Sequence, residues 1–241
     1  MLYFGGKQGA RALGSLVSSF LLIATVLLPG ILNGWNPLLA TFGVALLIII
    51  FGSYLTHGWN RTTTAAVVGM LVTVLCTGFL AYVAVHAAKL SGFATEESTY
   101  LNINTRGVID FQALLLGTIL IGLLGLLYDA AIGQAVSVEE LASAAEHLHR
   151  EEITKRALRI GREHIGALVN TLAIAYVGAS LPLLLLFYGD GGSGVLQIVN
   201  REVFATEIVR IVVGSIGLVL AVPITTLIAA RMLVKEKNRQ E

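Results

Sequence analysis

Six stretches of almost unbroken apolar residues, separated by short polar connections, set the plan of this chain. They cover about residues 13–32, 37–55, 63–86, 111–133, 165–188 and 204–233, each close to the ~20 residues that carry a helix across a hydrocarbon core. In most of them small and polar residues return every three or four positions, which gathers them on one helical face. Gly14, Ser18 and Thr25 do so in the first run, and Gly69, Thr73 and Thr77 in the third. In the sixth the stripe is Glu207, Arg210, Gly214, Gly217, Ala221 and Thr225. Such faces let helix backbones approach one another in lipid. The second run is apolar all round and reads as lipid-facing.

The fourth run carries the most informative pattern. Steps of three and four place Thr118, Gly122, Gly125, Asp129, Gly133, Ser137 and Glu140 on one side of a helix that is otherwise mostly Leu, Ile, Ala and Val. That side is expected to pack against neighbouring helices and to hold Asp129 inside a bundle, away from lipid. From about residue 137 to 164 the chain becomes amphipathic: Leu141, Ala145, Leu148, Ile153, Ala157 and Ile160 recur at helical spacing among charges of both signs. A helix of this kind lies along a membrane surface. The reading is an all-α polytopic membrane protein, a single transmembrane domain over residues 1–241. It has a bundle of six transmembrane helices and a cytoplasmic amphipathic helical segment between the fourth and fifth.

Composition agrees. Charged residues make up 13% of the chain and hydrophobic ones 56%, against roughly a quarter charged in a soluble domain. The formal net charge of +1 and the absence of a basic cluster with interleaved aromatics exclude a nucleic-acid partner as an expectation. A single cysteine, Cys76, excludes an internal disulfide. Lys and Arg fall unevenly across the proposed spans, twelve on the side of the termini and three opposite. By the positive-inside rule both termini are cytoplasmic, which an even number of spans requires. Lys7 and Arg11 precede an apolar run longer than the ~7–15 residues of a signal-peptide core, so the first run is read as a retained span.

An acidic side chain within a span is costly unless it is paired or hydrated, which makes Asp129 the leading candidate for a polar or ion site. Gln134, Ser137 and Glu140 extend the same polar region, and Asn170 and Thr171 enter the membrane from the same side. Gly122, Gly125, Gly133, Gly178, Gly214 and Gly217 are the candidate helix-packing positions. Arg210 is expected to snorkel toward the outer interface in preference to pairing with Glu207 one turn earlier, and Pro223 to kink its helix. His147, His149 and His164, with Glu146, lack the spacing of a metal motif, so neither metal nor cofactor is expected. The glycine-rich stretch 189–194 reads as a flexible hairpin. No nucleophile and base stand at a workable spacing, so no enzymatic activity is expected. The expected partners are the lipid bilayer and, through the glycine faces, another membrane protein or a second copy of the chain.

Four stretches keep their order as well as their composition: VLLPGILNGWNPLLA from Val26, IGLLGLLYDAAIGQAVSVEEL from Ile121, NTLAIAYVGASLPLLLLF from Asn170 and VGSIGLVLAVPITTLIAA from Val213. Together they resemble the YibE/F family of bacterial multipass membrane proteins. The resemblance implies a multi-pass protein of the bacterial cytoplasmic membrane, and no reaction. Its matching polar positions are Asp129, Ser137, Glu140, Asn170, Thr171 and Ser180. Two functions follow as expectations. One is a permease or transporter component with a polar intramembrane site around Asp129. The other is a non-catalytic scaffold or accessory subunit that binds a partner through its glycine-rich faces and cytoplasmic helix.

Overall fold

The computed structural model describes residues 2–145, 147–189 and 195–234, and the regular structure among them is helical throughout. Helix α1 (Leu2–Leu22) passes through a π turn (Ile23–Leu27) into α2 (Leu28–Leu32). The wide turn has a local cause: Pro29 has no N–H and its ring would strike the Thr25 carbonyl in a regular helix, so the backbone N–H of Leu28 reaches back five residues to Ile23. Next come α3 (Pro37–His57), α4 (Arg61–Ala87), the short α5 (Glu96–Asn104) and α6 (Phe111–Ala144). The polar connections start these helices. Asn36, Asn60 and Asp110 each accept a hydrogen bond from the N–H three residues on, at 3.1, 2.6 and 3.0 Å, satisfying donors that a helix start leaves free.

Side-chain pairings fix the helix directions. Gly52 of α3 meets Ser15 of α1, and Gly78 of α4 meets Leu120 of α6, so these pairs run antiparallel. Thr41 and Tyr128 tie α3 to α6 in parallel, through Gly117 and the Gly52 carbonyl. The last long helix, α10 (Glu202–Leu233), runs antiparallel to α4: Gly69 faces Thr225 and Gly217 faces Thr77. Here the small-residue stripes read from the sequence do bring two backbones together, since a β-carbon at Gly69 would lie 3.0 Å from Thr225 Cα. α6 stands at the centre, against α3, α4, α7 (Arg150–Ala179) and α10. Its inward side is Leu123, Leu127, Ala130, Ala131, Gln134, Ala135 and Val138, all buried.

Among the described residues five helical segments are long and apolar enough to cross a membrane: Gly6–Leu32, Pro37–His57, Arg61–Ala87, Phe111–Ala144 and Glu202–Leu233. The separate surface segment 137–164 and the continuous fifth span 165–188 are not what forms. α6 absorbs residues up to Ala144, the chain turns, and α7 then runs without a break from the charged stretch into the apolar one. Nothing between Ile160 and Ile165 stops a helix, because neither Gly161 nor the charged side chains interrupt its hydrogen bonding. The break comes later, at Ser180, after which α8 (Leu181–Gly189) starts with Pro182 in its first turn, where a missing N–H costs nothing. α7 begins beside the end of α10, where the Arg150 guanidinium donates to the Val234 carbonyl at 3.2 Å. α8 finishes beside its start, where the Phe187 and Phe204 rings lie 4.5 Å apart. The two together therefore span the length of α10 in the opposite direction. α9 (Val195–Val199) leads into α10, which passes through Pro223 as one helix. Asp190 to Gly194, most of the expected hairpin, lie outside the described residues, as does Glu146.

The connection between α4 and α6 is closely tied down. The Glu202 carboxylate accepts from the N–H and hydroxyl of Ser91 and from the N–H of Gly92, at 2.6 to 2.8 Å. Gln112 donates to the Leu90 carbonyl at 2.8 Å, and the Phe93 and Phe111 rings meet at a tilt with their centroids 4.3 Å apart. Three elements are thereby gathered around the start of α6, and a cavity forms between them.

Candidate functional site

The glycine-lined side of α6 does not face the core. Thr118, Gly122, Gly125, Asp129, Gly133 and Glu140 are exposed in the single chain, which corrects the expectation that this side packs within the bundle. The helices that cover α6 explain it. α3 takes one flank through Gly117 and Tyr128, α7 takes the other through Gln134, and the strip between them is a furrow floored by small residues. A β-carbon added at Gly125 or Gly133 would meet nothing within 4 Å.

α7 returns along α6 in a definite register. Gln134 is buried and donates through Nε2 to the Ala157 carbonyl at 2.8 Å, while its Oε1 lies against Gly161. Further along, the Tyr176 hydroxyl lies over Gly122. Between these two points Asp129 is level with residues 166–169. Continuing the same register sets the break at Ser180 level with Thr118. Asp129 makes no hydrogen bond or ion pair among the described residues.

The other residues expected at this site divide. Ser137 and Thr171 donate their hydroxyls to carbonyls of their own helices, Gly133 and Ala167, each at 2.8 Å. Asn170 is exposed and stands half a helical turn away from the Leu168 and Leu172 row that packs on the core. It is not brought to Asp129. Gln134 serves as a bridge between α6 and α7. Replacing it by Leu should remove that bridge and leave the buried Ala157 carbonyl without its side-chain donor, at a cost of about 1–2 kcal/mol. The check is the thermal unfolding midpoint in detergent, with Ser137→Ala as a neutral companion. Among the packing glycines, Gly214 lies against Leu123 and Leu172, Gly217 against Thr77, and Gly122 under Tyr176, whereas Gly178 is open.

At the far end of the furrow is a feature the sequence reading missed. A cavity of about 270 Å³ opens between α5, the start of α6 and the start of α10. Phe111, Leu114 and Leu115 give it apolar walls, and Thr206, Glu207 and Arg210 a polar floor. Arg210 does not snorkel. It pairs with Glu207 at 3.2 Å, both side chains only 23% exposed, and its guanidinium stands 5.5 Å from the Tyr176 ring centroid. Arg210 Nε and Thr206 Oγ1 are buried with no partner among the described residues. Glu97 stands at the mouth, where its own backbone N–H and the Thr95 hydroxyl hold its carboxyl below the usual carboxylate range. Thr118 lines the cavity and also begins the α6 furrow, so the two are continuous. The available signal was Glu207 and Arg210 lying on one side of a span; what closes the cavity, the tied-down α5 connection, has no periodic signature.

Residues 1–235 match the family model of YibE/F-like proteins. The chain belongs to that family. No curated protein and no solved structure matches this YibE/F-like chain, so its chemistry has to be argued from the side chains just described. Among those residues no group of three His, Cys, Asp or Glu side chains is arranged to hold a metal ion.

Proposed function

We propose that this YibE/F-like membrane protein is a multi-pass permease component of the bacterial cytoplasmic membrane, and that it conducts a small cation along the open face of α6. The observation that carries the reading is continuity. One stripe of α6 leads from the outer cavity at Thr118, beneath the Tyr176 hydroxyl at Gly122 and past Gly125, to Asp129. The groups along it are predominantly acidic, with Glu97, Glu207, Asp129 and Glu140 against Arg210 and His164, which favours a cation. The interrupted pair α7 and α8 supports the same reading. Treated as a sixth, discontinuous crossing, it keeps Lys and Arg on the side of both termini, and helices broken beside a polar site recur in transporters.

Flux in proteoliposomes tests this. The wild-type protein should dissipate a proton or monovalent-cation gradient faster than empty vesicles, and Asp129→Asn, which keeps the shape and removes the charge, should slow that flux about tenfold or more, the loss of ~1.4 kcal/mol of stabilisation. Equal flux from the two proteins removes Asp129 from the mechanism.

A second reading rests on the exposure of the furrow itself, whose glycine floor would admit a helix backbone from a partner protein or a second copy. A cysteine introduced by Gly133→Cys would then crosslink to that helix in native membranes. Crosslinking with intact flux in the Asp129→Asn variant selects the scaffold role.

A further inference from the structure

A second cavity, of about 320 Å³, lies at the opposite end of the molecule, where α7 begins and α10 finishes. Arg150, Lys155 and Arg231 line it, with Glu151 as the one acidic group among the described lining residues, so basic side chains predominate. Lys155 and Arg231 are exposed, and Arg159 and Arg162 continue the basic edge of α7 at helical spacing. Apart from Thr154, the remaining wall is apolar, made by Leu227 and Ala230 near the end of a helix long and apolar enough to cross the membrane. Leu227 is 49% exposed, and behind it Val212, Ile216 and Val219 form an exposed row along the same side of α10. That row covers about 22 Å of helix at 1.5 Å per residue.

A basic hollow opening onto an apolar strip at the membrane interface is complementary to a molecule that carries a phosphate at one end and hydrocarbon at the other. A soluble phosphate would use the cations and leave the strip bare. We propose that this cavity seats the headgroup of an anionic glycerophospholipid, its phosphodiester between Lys155 and Arg231 and one acyl chain along Leu227, Val219, Ile216 and Val212. Arg150, which also holds the Val234 carbonyl, forms the back of the site. The inference is independent of any transport role.

Titration of the detergent-purified protein with phosphatidylglycerol, followed by native mass spectrometry, tests it. Phosphatidylglycerol should bind in preference to phosphatidylcholine of the same acyl chains. The double variant Lys155→Gln with Arg231→Gln should bind it about thirtyfold more weakly, at ~1 kcal/mol for each cation removed. Lys155→Arg with Arg231→Lys should bind as the wild type does, which shows that charge and not packing is read. Glycerol 3-phosphate should fail to compete at concentrations well above those of the lipid. Equal binding of the two lipids, or an undiminished affinity in the neutral double variant, overturns the proposal. Full competition by glycerol 3-phosphate overturns it in favour of a soluble phosphate ester.

Discussion

Gly69→Val should lower the stability of the bundle by about 3 kcal/mol, the upper part of the range for forcing volume into a packed contact. The reason lies in what the new side chain would meet. Its β-carbon alone would stand 2.5 Å from Thr225 Oγ1 and 3.0 Å from Thr225 Cα. Thr225 is fully buried, and its α-carbon belongs to the backbone of a 32-residue helix that cannot yield locally. α4 and α10 would have to separate, exposing Val74, Ala221 and Leu218, which are now buried. A drop of about 10 °C in the midpoint of thermal unfolding is the corresponding scale for a chain of this length. Gly214→Ala supplies the contrast. Its β-carbon would meet only the methyl ends of Leu123 and Leu172, which can rotate aside, so its cost should be well below that of Gly69→Val. Gly133→Ala meets nothing and should be neutral or slightly stabilising, since alanine favours a helix by up to about 1 kcal/mol. Equal effects of the three substitutions would mean that α4 and α10 do not cross as described.

The same sequence rule worked at one of these places and misled at the other. Glycine and threonine at four-residue spacing marked Gly69, Thr73 and Thr77 as a packing face, and α10 lies on it. Gly122, Gly125 and Gly133 also share one helical face, yet only Gly122 meets a side chain from another helix, Tyr176, while Gly125 and Gly133 lie on the open side of α6. Periodicity reports that small residues share a face; it does not report whether a helix stands opposite, which depends on where the connections deliver the other elements. The fifth run departs from its expected form, one continuous helix over 165–188, for a related reason. An apolar run measures length and composition, and 165–188 has both, but helix α7 had already begun at Arg150 and its one interruption is at Ser180. Asp129 was legible as an unusual group because a carboxylate in an apolar run stands out in any order of reading. The Arg210 pairing and the cavity above it were only partly legible, because Glu202 closes that end by reaching Ser91 and Gly92 across 110 residues of sequence.

Arg210 and Glu207 allow the transport reading to be separated from a purely architectural one. Arg210→Leu alone should cost about 2 kcal/mol of stability, less than the 3–5 kcal/mol of breaking a fully buried pair because both side chains retain some exposure. Glu207→Leu should cost a similar amount, by leaving the guanidinium without its carboxylate. In the double variant neither charge is stranded, and stability should return to within about 1 kcal/mol of the wild type. Architecture is then restored while the polar floor of the cavity is gone. If the pair serves only to hold α10, flux through the double variant should equal that of the wild type. If cations pass the cavity on their way to Asp129, the double variant should fold and conduct no better than empty vesicles. The proposed cation path expects the second outcome. A pair kept for stability would be expected to satisfy its neighbours, since each buried donor left unpaired costs about 1–3 kcal/mol, yet Arg210 Nε and Thr206 Oγ1 both lack a partner among the described residues. A site that must exchange one set of polar contacts for another has a use for groups that no permanent neighbour occupies.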